Sequence, residues 1–332
     1  MTPEELKNYL SSLCEHQIYR SVMIWGAPGI GKSSVVAEVA DKHELSVIDL
    51  RLSQLAPTDL RGLPVVGEGV AKWLPPEFLP NSGAGILFLD EINMAPPAVQ
   101  GIAQQLILDR QIGTYQLPPD WFVWAAGNRK EDKAATFDMP SALANRFLHL
   151  DIEVSFSDFR RYGYQHQIDE RILAFLAFRP NLLHHQTKSS HAWPSPRTWE
   201  MANELLRSGI EISPAIGHGT SVEFDAFCKI YEELPSIDGI LSGEKGIKFP
   251  DEPSKKYAIV LGLVSQTKNA NQAIEAILWL NHEASPEWLQ LYFSDLLFRV
   301  RDKNWFPEMV KKLSSSSETK SLVAELRDMI MG

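Results

Sequence analysis

The chain has 332 residues, of which 44% are hydrophobic and 22% charged, and its formal net charge is −10. That length allows one large or two ordinary domains with real cores, and the acidic balance argues against the broad basic face that nucleic-acid binding needs, though not against a local basic pore. No stretch is long and apolar enough to cross a bilayer, the opening Met1-Thr2-Pro3-Glu4-Glu5 is acidic rather than signal-like, and Cys14 and Cys228 make no disulfide framework; a cytoplasmic soluble protein is expected.

Ser21–Trp25 is a short apolar run of buried-strand type, and Ser34–Lys42 reads as a helix. Between them, Gly26-Ala27-Pro28-Gly29-Ile30-Gly31-Lys32-Ser33 fits the phosphate-binding pattern G-x-x-x-x-G-K-[ST] at every specified position. The glycines allow a tight turn whose N–H groups point at phosphate oxygens, Lys32 can reach the β- and γ-phosphates, and the Ser33 hydroxyl can bind Mg²⁺. The expected nucleotide-binding set is Gly26, Pro28, Gly29, Ile30, Gly31, Lys32, Ser33 and Ser34.

Ser46–Leu50, Ile86–Leu89, Trp121–Ala126 and Phe147–Ile152 are further candidate strands. Each is short and nearly continuously apolar, as strands covered by helices on both faces are, so a doubly wound, mostly parallel five-stranded sheet is predicted. In such sheets ligands bind beyond the carboxyl ends of strands, where Gly26, Asp90-Glu91 and Gly127-Asn128 fall. Leu52–Ser82, rich in Gly and Pro, breaks the alternation as an inserted loop or hairpin. Gly113–Pro119 predicts a second hairpin.

Asp90 and Glu91 end an apolar strand, which suits Mg²⁺ binding by Asp90 and polarisation of the attacking water by Glu91. Asn128 fits two readings equally: an amide facing the γ-phosphate or lytic water, or a turn residue after Gly127. Arg146, before the fifth strand, and Arg197, in the first turn of a later helix, fit either an arginine on transferring phosphate or surface ion pairs. His184, His185 and His191 lack a companion ligand cluster and read as a solvated loop. Lys72-Trp73 is either a substrate-gripping element or local packing.

From about Phe156 the pattern turns helical. Helices are predicted over Asp169–Phe178, Arg197–Arg207, Glu223–Glu233, Asn271–Asn281 and Pro286–Val300. Pro235–Pro253 reads as a long linker and Ser314–Ser317 as a turn before a last helix, Thr319–Met331. The predicted division is an α/β nucleotide domain over 1–155, with its insertion at about 52–82, followed by an all-helical region over 156–332.

Asp90-Glu91-Ile92-Asn93-Met94-Ala95-Pro96-Pro97-Ala98-Val99-Gln100 resembles the Walker B region of MoxR-type AAA+ ATPases. The resemblance extends to Leu55–Pro64, similar to that family's helix-2 insert, to Ala126-Gly127-Asn128 at sensor 1, to Leu143–Phe147 at the arginine finger and to Ser195-Pro196-Arg197 at sensor 2. It covers residues 20 to 200 in family order. It implies an AAA+ fold with a helical lid and C-terminal helical extension, and ATP hydrolysis with Mg²⁺. Lys32 and Ser33 become the Walker A pair, Asp90 and Glu91 Walker B, Asn128 sensor 1, Arg197 sensor 2 in cis and Arg146 the finger entering a neighbouring subunit. A ring, usually hexameric in the family, is implied, with a protein client and a von Willebrand factor A-type partner. Arg129 departs from the proline frequent after sensor 1, as a second trans contact or a surface charge. A DNA-dependent motor and a nucleotide-gated scaffold with little turnover are the competing expectations.

Overall fold

The computed structural model describes residues 1–67, 69–132, 137–186, 190–300 and 303–315, and the chain divides into two compact units, residues 1–155 and residues from 156 on. In chain order the first unit contains α1 (Pro3–Glu15), β1 (Val22–Trp25), α2 (Lys32–Lys42), β2 (Ser46–Arg51), α3 (Pro57–Arg61), β3 (Leu63–Gly67), β4 (Val70–Leu74) and β5 (Gly85–Asp90). It continues with α4 (Pro97–Asp109), β6 (Gln111–Ile112), β7 (Tyr115–Gln116), β8 (Trp121–Gly127), α5 (Ser141–Ala144) and β9 (Leu148–Asp151).

Five of these strands form one sheet in the order β2-β5-β8-β1-β9, with every neighbouring pair parallel. This is the doubly wound parallel sheet that the apolar runs predict, an α/β fold. Alternate side chains of the three central strands, β5, β8 and β1, feed two different cores, whereas the edge strands β2 and β9 each feed one and are otherwise largely exposed. Met23, Leu87, Leu89, Val123 and Ala125 pack with Val99, Ala103 and Leu106 of α4 on one face. Val22, Ile24, Ile86, Phe88, Phe122, Trp124 and Leu150 pack on the other with Leu6 and Leu10 of α1 and Val35, Val36 and Val39 of α2. Such double burial is why the central strands read as continuous apolar runs rather than as alternation.

Helix α1 has no apolar run to announce it, yet its start is written locally. Thr2 Oγ1 accepts from Glu5 N–H at 3.3 Å, the Glu5 carboxylate accepts from Thr2 N–H at 2.9 Å, and Pro3 occupies the first helical position. Within the insertion, a 3₁₀ turn at Leu52–Gln54 and α3 lead into the antiparallel hairpin β3–β4, which exposes Leu63, Val65, Val66 and Leu74. Trp73 of β4 is half-buried under the Arg61 guanidinium, 4.6 Å from its ring centroid, which gives the local-packing reading of this residue a specific partner. The second hairpin, β6–β7, pairs Gln111–Ile112 with Tyr115–Gln116 and begins slightly before the predicted span. Its Thr114 hydroxyl donates to the Trp73 carbonyl at 3.3 Å, so the two hairpins touch.

The second unit is helical among its described residues: α6 (Phe156–Gln165), α7 (Glu170–Phe178), α8 (Pro196–Arg207), α9 (Ser213–Ile216), α10 (His218–Glu232), α11 (Ile237–Leu241), α12 (Pro253–Gln266), α13 (Ala270–Glu283), α14 (Pro286–Val300) and α15 (Phe306–Ser315). Helix α12 lies at its centre, with Ala258 to Val264 buried against α7, α10, α11 and α14. A helix apolar all round shows no 3.6-residue stripe, which is why periodicity predicts no span for it.

The predicted linker Pro235–Pro253 is a correction. It contains α11, capped by Ser236 Oγ accepting from Gly239 N–H at 2.9 Å, with Ile237, Ile240 and Leu241 buried. Ser314 and Ser315 form the last turn of α15 rather than a turn beyond it. The predicted helix Thr319–Met331 lies outside the described residues. No helix among the described residues is long and apolar enough to cross a membrane.

Candidate nucleotide site

β1 delivers the chain into the loop from Gly26 to Gly31, and α2 begins at Lys32. Gly29 has φ 78° and Gly31, the N-cap of α2, has φ 97°. At Gly31 that value is a left-handed conformation that a side chain would strain, and no side chain caps the helix there. The first amides of α2 are thereby left for an anion. Pro28 and Gly29 are half-buried in the loop, Ile30 anchors it with a buried side chain, and Ser34 lies exposed on the first turn of α2.

Lys32 is only 9% exposed. Its Nζ donates to Gly26 O at 2.7 Å, to Ala27 O at 3.0 Å and to Asn128 Oδ1 at 3.1 Å. These acceptors hold the ammonium over the loop, where an anion would lie. Ser33 Oγ donates to Asp90 Oδ2 at 3.0 Å, joining the start of α2 to the end of β5. A hydroxyl beside a carboxylate is a hard-oxygen pair of the kind Mg²⁺ takes, with phosphate and water completing the shell, so these residues fit the cation. Acidic charge concentrates here: burial, followed by the charge of Asp90, raises the Asp49 carboxyl of β2 above its ordinary range. Among the described residues no group of three or more His, Cys, Asp or Glu side chains is arranged to hold a metal by itself. His184 instead meets Trp193 edge-on, with centroids 5.1 Å apart.

Glu91 has φ 55° and ψ 33°, a left-handed conformation that a non-glycine residue adopts at a cost of about 1–2 kcal/mol. Its N–H donates to Asp90 Oδ1 at 2.8 Å, and its carboxylate accepts from the hydroxyl of Ser53, just beyond β2. Sequence reasoning misses Ser53, because a serine after a strand carries no signal that would single it out.

Asn128 sits at the end of β8 and is buried. Its main chain is clasped by Asn93, whose Nδ2 donates to Asn128 O at 2.7 Å and whose Oδ1 accepts from Asn128 N–H at 3.2 Å. The Asn128 side chain accepts from Lys32 through Oδ1 and places Nδ2 3.3 Å from Met94 Sδ. The clasp needs Gly127, because a Cβ there would stand 2.5 Å from Asn93 Oδ1. Asn93 falls inside the Walker B-like run but has no role from spacing. We expect Asn93→Leu, which orphans a buried N–H and a buried C=O, to cost about 2–5 kcal/mol and to lower the melting temperature by roughly 4–10 °C. A melting curve unchanged by the substitution would contradict the clasp.

Arg129 has its own partners at the end of β9: its guanidinium donates to Ile152 O at 2.8 Å and approaches Asp151 at 3.4 Å. Arg146 is exposed on the turn between α5 and β9. Arg197 belongs to the second unit, exposed at the second position of α8. Helix α8 is started by Ser195, Pro196 and Thr198, with Ser195 Oγ accepting from Thr198 N–H at 3.2 Å. The structure thus brings Lys32, Ser33, Asp90 and Asn128 together, with Glu91 adjoining, and leaves Arg146 at the surface of the same unit.

Residues 21–149 match the family described as "ATPase family associated with various cellular activities (AAA)". That match lies within the α/β unit of residues 1–155. The chain is 28% identical to midasin of Dictyostelium discoideum over 165 residues and 25% identical to midasin of Giardia intestinalis over 162 residues, in each case 46% of this chain. It spans about 3% of the length of these curated relatives. Among solved structures, the ATP complex of NtrX from Brucella abortus has a TM-score of 0.41 at 14% identity, covering 98% of this chain and 68% of that one. A RuvB mutant of Thermotoga maritima has a TM-score of 0.38 at 14% identity, covering 98% and 96%. A putative ATPase from Cytophaga hutchinsonii has a TM-score of 0.36 at 15% identity, covering 88% and 80%.

Proposed function

We propose that this chain is a MoxR-type AAA+ ATPase that assembles as a ring and uses ATP hydrolysis to remodel or activate a protein client. The observation that carries the reading is the meeting of Lys32, Ser33, Asp90 and Asn128 at the ends of three adjacent parallel strands. In that reading the triphosphate lies along Gly26–Gly31 and the first turn of α2. Lys32 exchanges the loop carbonyls for the β- and γ-phosphates. Ser33 and Asp90 hold Mg²⁺, which when bound neutralises developing phosphate charge. Glu91 orients and polarises the attacking water, and Asn128 donates from its amide to the γ-phosphate or that water.

Arg146, exposed on its turn, is assigned to the neighbouring subunit's γ-phosphate, the finger role that the resemblance implies. Arg197, on the first turn of α8, is assigned the sensor-2 role that the resemblance implies, reporting loss of the phosphate to the helical unit. A partner with a von Willebrand factor A-type domain belongs to the same reading.

Arg146→Ala is expected to bind ATP and assemble yet to lose about 10³-fold or more in turnover, as removal of an arginine finger does. Mixing it with Glu91→Gln should restore activity by pairing intact half-sites, and no recovery at any ratio would remove the trans role. Wild-type turnover should rise with protein concentration and stay unchanged when single- or double-stranded DNA is added at low salt. Stimulation of about tenfold or more by DNA would favour a nucleic-acid motor instead, since Coulombic contacts to phosphates dominate at low salt.

A further inference from the structure

The residue before the phosphate loop is tied to the turn that bears Arg146. Trp25 is the last residue of β1, and its indole Nε1–H donates to His149 Nδ1 at 2.8 Å. An indole nitrogen can only donate, so Nδ1 carries no proton. The proton is then on Nε2, which stands 2.7 Å from the carbonyl oxygen of Ala144 and donates to it. Each contact requires the same neutral tautomer, so the two bonds specify one state of the ring. The imidazole also lies nearly parallel to the indole, at 8° and 6.1 Å between centroids, and meets Phe147 edge-on at 6.1 Å.

Ala144 ends α5, and the two residues that follow are Asn145 and Arg146. Within the turn, Arg146 N–H donates to Leu143 O at 3.1 Å and Phe147 N–H to Ala144 O at 3.2 Å. The Ala144 carbonyl therefore accepts twice, and its second donor connects the turn to the sheet through a side chain. That bond adds nothing to strand register, because β1 and β9 already pair from Val22↔Leu148 to Trp25↔Asp151. Its distinct effect is on the turn.

We propose that His149 is a positioning residue that couples the root of the phosphate loop, through Trp25, to the turn that presents Arg146. The inference rests on the reading of Arg146 as a finger acting in the next subunit. On that basis, a movement of one subunit's loop as its nucleotide changes is passed through Trp25 and His149 to the arginine that the subunit lends to its neighbour. Successive sites around the assembly would then be linked through a contact lying inside each chain.

The test uses ATP turnover, nucleotide affinity and subunit mixing. His149→Leu removes both bonds, and Trp25→Phe removes the donor while keeping a ring. Each is expected to hold ATP within about threefold of the parent and to lose roughly 10–10²-fold in turnover, the scale on which a displaced catalytic group costs rate. His149→Gln, which keeps a donor for the Ala144 carbonyl, should recover most of it. In mixtures, His149→Leu should regain turnover with Glu91→Gln, whose Arg146 turn is intact, and gain nothing with Arg146→Ala. Normal turnover in both His149→Leu and Trp25→Phe would overturn the proposal. So would failure of both to recover with Glu91→Gln under conditions where Arg146→Ala does recover. If Arg146→Ala itself never recovers, the trans finger is wrong and the coupling falls with it. Should His149→Leu fold poorly, Trp25→Phe alone decides by the same mixing.

Discussion

Lys32→Ala is expected to weaken ATP binding by about 10²-fold or more, measured by calorimetric titration or a fluorescent nucleotide analogue. The ammonium is buried and held on two loop carbonyls and the Asn128 side chain, in place for phosphate before any arrives. Its alternative partners are neutral acceptors, whereas the β- and γ-phosphates are anions, and charge-assisted bonds are worth about 1.5–3 kcal/mol each. Two such bonds lost give the stated range. The variant should still melt cooperatively, because Ile30 and the apolar face of α2 hold the loop and helix without the lysine. Affinity unchanged by the substitution would mean that phosphate is bound elsewhere.

Glu91→Gln is expected to lower turnover by about 10²–10⁴-fold while leaving ATP affinity within roughly threefold. The substitution suits the question because the amide oxygen of Gln can still accept from Ser53 and the backbone conformation at position 91 is retained. Only the negative charge and the capacity to draw a proton from water are removed. Single-turnover assays separate this from a binding defect. Parental turnover in the variant would show that another group activates the water.

Much of the first unit was legible because its three central strands are buried on both faces. Val22–Trp25, Gly85–Asp90 and Trp121–Gly127 are compact apolar runs whose ends coincide with the phosphate loop, the paired carboxylates and Asn128. The side-chain bonds that tune these residues were not legible. Ser53, Asn93 and His149 reach their partners across sequence separations of 38, 35 and 124 residues, and none belongs to a spacing rule. Helix α12 shows the opposite difficulty: Ala258 to Val264 are so uniformly apolar that the stripe marking an amphipathic helix is missing. Helix α1 could have been found from Thr2-Pro3-Glu4-Glu5, which is a capping box with proline at its first position.

The strand order also dictates when this nucleotide loop can exist during synthesis. β1 is made early, yet both strands that flank it come late: Val22 pairs with Trp124 on one side and Leu148 on the other. Until β8 has emerged, the strand that leads into Gly26 has no neighbour, and Lys32 lacks Asn128 as an acceptor. β2 and β5 can pair sooner, Ser46 with Gly85, but they form the other side of the sheet. Closing the chain over such separations costs entropy before strand pairing can repay it. A nascent chain that stops short of β8 therefore carries the whole glycine loop with neither the strand beside it nor Asn128 in place. The loop is thus among the first parts of the sheet to be made and among the last to acquire both its neighbours.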